Sequence, residues 1–120
     1  MEESILISLR PSAGIDKDCE DFDEIIIPII NTAFSTLRQL GVGPSEGFMI
    51  EDDSANWSDF ISSKPRWSSV KTYISQKVKL IFDPPTNASL LEALKESIKE
   101  LEVRLNLEAE SEMEEVIQNG

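Results

Sequence analysis

No histidine occurs in the 120 residues, which removes the side chain most often used near neutral pH as a general base or metal ligand. Cysteine is nearly absent too. Cys19 stands alone, so no internal disulfide can form, and a reducing compartment is the expectation. Its acidic neighbours Asp18 and Glu20 disfavour a reactive thiolate. Positive charge is scarce: 11 Lys and Arg against 23 Asp and Glu give a net charge of −12. A chain so acidic is unsuited to gripping nucleic acid by phosphate neutralisation or to binding an anionic membrane. A basic surface on a partner suits it better. No stretch reaches the roughly 18 apolar residues of a membrane span, and the start MEESILISLRPSAG has no basic segment ahead of an apolar one. The expectation is an intracellular, unexported protein, for which the sequons at Asn56 and Asn87 are chance matches.

Catalytic and cofactor motifs are missing as well. The sequence has no nucleophile elbow, phosphate loop or paired-cysteine metal motif. Gly41-Val42-Gly43 fails as a nucleotide fingerprint, because Gly47 falls one residue late, Pro44 intervenes, and the segment follows a helix pattern instead of a strand. Glu51, Asp52 and Asp53 lack the alternating ligands and obligatory glycine of a calcium loop. The reading is therefore no enzyme, no cofactor and no metal, with function in binding or assembly.

What the sequence does contain is helix periodicity, clearest in residues 66–105. Val70, Tyr73, Ile74, Val78, Ile81 and Phe82 recur at helical spacing and predict a helix over 66–83. Asp83-Pro84-Pro85 ends it, since neither proline supplies a backbone N–H. Thr86 or Asn87 is the natural N-cap of a second helix over 87–105, whose seam is Leu90/Leu91, Leu94, Ile98, Leu101 and Leu105. So narrow a seam needs another helix to lie on, and the preceding one, antiparallel to it, is nearest.

Before this pair, Ile5, Leu6 and Leu9 fit a short first helix. The segment 22–40 is the most apolar of the chain, and its five isoleucines around Pro28 would also suit a buried strand. Helix is favoured by the spacing of Ile26, Ile29/Ile30, Ala33, Phe34, Leu37 and Leu40, by the acids that precede it and by Gly41 as its C′ residue. A glycine-rich, acidic loop follows, with Phe48 and Ile50 turned inward, and then a one-turn helix carrying Trp57 and Phe60. The prediction is an all-α fold, a small bundle of about four helices in a single domain over 1–106. The remainder, 107–120, is an acidic C-terminal arm with too little apolar area to hold itself down; it reads either as flexible, a frayed extension of the last helix, or as an arm that orders on a partner.

Four runs carry a resemblance to a known group: Gln39-Leu40-Gly41-Val42-Gly43-Pro44, Trp57-Ser58-Asp59-Phe60, Leu80-Ile81-Phe82-Asp83-Pro84-Pro85, and Leu94-Lys95-Glu96-Ser97-Ile98-Lys99-Glu100-Leu101-Glu102. The chain resembles small head-tail connector, or adaptor, proteins of tailed bacteriophages infecting Gram-positive hosts. The resemblance implies a virion structural protein at the neck between head and tail, made in the host bacterial cytoplasm. It further implies a self-assembled ring of twelve copies beneath the portal protein, joined below to a neck or tail-completion protein. DNA would then be passing cargo, and an acidic wall would let the duplex slide where a basic one would hold it. Within that picture Glu51, Asp52 and Asp53, or the connection Asp16–Glu24, are candidate channel-facing acids. Met113, Val116 and Ile117 are candidate portal contacts, an amphipathic turn that folds on docking. The competing reading is an acidic DNA-mimic inhibitor of a host nucleic-acid-processing protein. The mixed signs along 66–105 count against it.

Overall fold

The computed structural model describes residues 3–119, with side chains described as far as Glu112. It is all-α. The helices are α1 (Ile5–Leu9), α2 (Asp23–Gln39), α3 (Trp57–Phe60), α4 (Lys64–Phe82) and α5 (Ala88–Asn119), with a 3₁₀ turn at Arg10–Ala13. Among the described residues the nearest thing to a strand is one bridge between Ser4 and Asn56.

Local chemistry sets each boundary. Ser4 caps α1, its Oγ accepting from the Ile7 N–H and donating to the Asp53 carbonyl. At the end of α2 the Val42 N–H reaches the Leu37 carbonyl and the Gly41 N–H the Arg38 carbonyl, a Schellman closure with Gly41 at φ +85°. Pro28 lies inside α2 and removes one rung from its ladder, yet the helix runs through. The strand alternative for this segment fails because Ile26, Ile30, Ala33, Phe34 and Leu37 all turn to one buried face. Asn87 is the cap of α5, its Oδ1 accepting from the N–H groups of Ser89 and Leu90.

Helix α2 lies in the core against α4, with α1 and α3 closing over α4. Trp57, Tyr73 and Phe34 are the largest fully buried side chains, each contributing on the order of 2–3 kcal/mol of burial. Phe34, Phe48 and Phe60 form a ring cluster with centroids 4.7–5.2 Å apart, and Trp57 stacks on Trp67. The loop 42–54 is pinned from beneath. Asn31 donates to the Ile50 carbonyl and accepts its N–H, so the inward turn of Ile50 rests on two hydrogen bonds as well as on apolar burial.

The long pair is antiparallel. Tyr73 meets Glu102 and, one end further along, Arg66 meets Glu112. Two details differ from the periodicity. Ile81, part of the predicted stripe, is 54% exposed, while its neighbours Leu80 and Phe82 in the same turn pack against the core. In α5 the leucine seam is only half covered at its start, with Leu90 exposed, and full burial comes at Ile98, Leu105 and Ala109. The second helix is also longer than 87–105, running through Asn119. Past the predicted boundary it stays attached: Asn106 Nδ2 donates to the Leu40 carbonyl at 3.2 Å, and Ala109 packs against Gly41.

Candidate assembly surfaces

The surfaces that could meet a partner are set by where charge is placed and by what is already spent holding the chain together. In the acidic connection Asp16–Glu24, Asp23 is taken. The Arg10 guanidinium, buried to 2% exposure, donates to both its carboxylate oxygens at 2.8 and 3.1 Å and to the Lys17 carbonyl at 2.6 Å. That pairing, more than burial costs, pushes the Arg10 pKa above its ordinary value. The other acids of the connection, Asp16, Asp18, Glu20, Asp21 and Glu24, are exposed. Beside them Phe22 and Ile25 are 42% and 54% exposed, and Phe22 sits edge-on to Phe82.

Glu51, Asp52 and Asp53 are all exposed on their loop. Asp52 accepts from the Ser54 hydroxyl and N–H, which lowers its pKa from the usual carboxylate value. The three do not converge on a common point, and among the described residues no cluster of three metal-ligating side chains occurs. The structure brings this loop to the N-terminus of α1 through Ser4. Met113, Val116 and Ile117 have side chains outside the described residues.

Two features were not singled out by sequence reasoning. One is the Arg10–Asp23 latch, 13 positions apart, for which the sequence carries no local signal. The other was legible: from Phe60 to Phe82 there is no acid at all, while Lys64, Arg66, Lys71, Lys77 and Lys79 fall in the same stretch. Between α2 and the loop 46–49 lies an open groove of about 490 Å³ beside the exposed Met49. Among the described residues no helix is long and apolar enough to cross a membrane.

The chain is a small helical protein whose Arg10, Tyr73 and Asn106 side chains tie segments together and whose charge is displayed outward. Residues 5–112 match the family described as phage connector protein, and the chain belongs to that family. The match covers α1 to α4 and α5 as far as Glu112. No curated protein and no solved structure matches the chain.

Proposed function

We propose that this protein is the subunit of a ring in the virion neck, a head-tail connector that sits beneath the portal protein and prolongs the DNA exit channel toward the tail. The observation that carries this reading is the family match over residues 5–112. Its role is mechanical and electrostatic instead of catalytic. A repulsive, acidic lining lets a duplex pass without being held, and the exposed Glu51, Asp52 and Asp53 are the acids assigned to the channel. Residues 113–120, with Met113, Val116 and Ile117, are assigned to portal contact. A neck or tail-completion protein takes the opposite face. Twelve copies would form a ring by head-to-tail contacts, the arrangement that closes on itself when the rotation permits.

The inhibitor reading has less support, because a DNA mimic needs carboxylates along an exposed face and α4 displays only bases there. The test is light scattering after size exclusion, on the protein alone and mixed with the portal encoded in the same genome. Co-elution at about one copy per portal subunit is the expected result. A protein that stays monomeric and never moves with the portal would sink the connector reading.

A further inference from the structure

One helix, α4, carries bases alone. The stretch 60–82 carries five bases and no acid, which leaves −17 on the rest of a chain whose total is −12. On α4 the buried face is Val70, Tyr73, Ile74 and Val78. The opposite face runs Lys64, Ser68, Lys71/Thr72, Ser75 and Lys79, at steps of three and four that align them along about 22 Å of helix. Between the lysines stand only small hydroxyl side chains, so a partner can approach the helix closely. A groove of about 520 Å³ follows this face, lined by Lys64, Trp67, Lys71, Ser75 and Gln76 and by Glu3, the partner of Lys71. Within it the Gln76 Oε1 is buried and has no donor.

Little inside the chain competes for these lysines. Lys71 pairs with Glu3 at 2.7 Å and Lys79 approaches Asp83 at 3.8 Å, both at partly exposed positions where a pair contributes about 1 kcal/mol or less. A better-desolvated carboxylate would displace them.

We propose that this face of α4 is one half of a head-to-tail contact between copies of the chain, and that the other half is the connection Asp16–Glu24 of a second copy. The proposal rests on the ring reading and names the surfaces that build it. Charge complementarity selects the occupant. The connection offers five exposed carboxylates, Asp16, Asp18, Glu20, Asp21 and Glu24, to meet three lysines, and its exposed Phe22 and Ile25 can lie on the lysine stems and the groove floor. The other acids fit less well. Glu51–Asp53 is tied through Ser4 to the flank that already holds Glu3 against Lys71, and the outer face of α5 mixes Glu92, Glu96 and Glu100 with Lys95, Lys99 and Arg104. Two different faces of one chain, each complementary to the other, form a heterologous contact, the kind that closes rings.

The experiment is a charge exchange on the full chain. One variant carries Lys64→Glu, Lys71→Glu and Lys79→Glu; the second carries Asp18→Lys, Glu20→Lys and Asp21→Lys. All six positions are on the surface, and thermal melts establish that both variants fold. Assembly is measured by light scattering, alone and on the portal. Each variant by itself should need at least tenfold more protein to assemble than the wild type. An equimolar mixture should recover assembly in alternating order, because each altered face then meets its opposite. Higher salt should weaken wild-type assembly. If the wild type assembles and the first variant assembles equally well, the α4 contact is overturned while the ring reading stands; a wild type that assembles under neither condition overturns the ring itself. A 30-base-pair duplex is the further probe. If the lysine variant loses duplex binding that the wild type shows at physiological salt, and keeps its assembly, the face belongs to DNA and the proposal fails.

Discussion

The hydroxyl of Tyr73, buried at the centre of α4, donates to Glu102 Oε2 on α5 at 2.6 Å. This contact joins the long antiparallel pair at its middle, as Arg66 and Glu112 do further along, and couples it to pH. Burial first, then donation to Glu102 and its negative charge, push the phenol well above its ordinary range. A group whose folded pKa is raised contributes stability that is full below its unfolded pKa and is lost as pH rises beyond it.

Stability should therefore decline above about pH 10, where the unfolded tyrosine ionises and the folded one does not. Tyr73→Phe should cost about 1 kcal/mol at pH 7 through the lost hydrogen bond and should flatten that alkaline decline. Denaturant titrations of both proteins between pH 8 and 11.5 read the difference. Parallel curves would show that Tyr73 is not the responsible group.

Arg10→Ala should be the most damaging single polar change. It removes a bidentate pair and a carbonyl contact and leaves Asp23, at 21% side-chain exposure, without its cation. The expected loss is about 3 kcal/mol, seen as a lowered midpoint in urea. Arg10→Lys should recover less than half of it, since an ammonium cannot span both oxygens of Asp23.

Gly43→Ala should destabilise by about 3 kcal/mol for two separate reasons. The residue sits at φ +90°, and an added Cβ would overlap the Phe60 ring at Cε1, inside the Phe34, Phe48 and Phe60 cluster. Gly47→Ala is the control. It has a similar φ of +96°, but its nearest neighbour is the Arg38 side chain at 3.7 Å, so only the backbone strain, about 1 kcal/mol, should appear in a thermal melt.

Where the chain is shortened matters for testing the portal contact. Truncation after Asn106 would remove Ala109, buried against Gly41, and Glu112, paired with Arg66 at 3.1 Å, and so would loosen the body along with the arm. Truncation after Glu112 should leave the melting temperature within about 2 °C of the full chain, the scale of a few tenths of a kcal/mol, while abolishing co-elution with the portal. Retained co-elution would remove Met113, Val116 and Ile117 from the contact.

The sequence by itself determined that the chain is helical and most of the helix bounds, because those depend on local matters: apolar spacing, proline's missing N–H, glycine's access to positive φ and the capping of Asn87. It did not determine the end of α5, at Asn119 instead of 105. The resemblance it carries led to the phage connector family, to which the chain belongs. Only the tertiary structure decided which periodic residues are covered. Ile81 and Leu90 satisfy the helical spacing as well as Val78 and Ile98 do, but the first two are exposed near the corner of the pair while the second two are buried. It alone also joined Arg10 to Asp23, Tyr73 to Glu102 and Asn106 to Leu40, since polar partners far apart in the chain leave no period to read. The charge of α4 lay open in the sequence as an acid-free run. That its lysines share one outward face above a groove became visible only once the buried side of the helix was fixed by its neighbours.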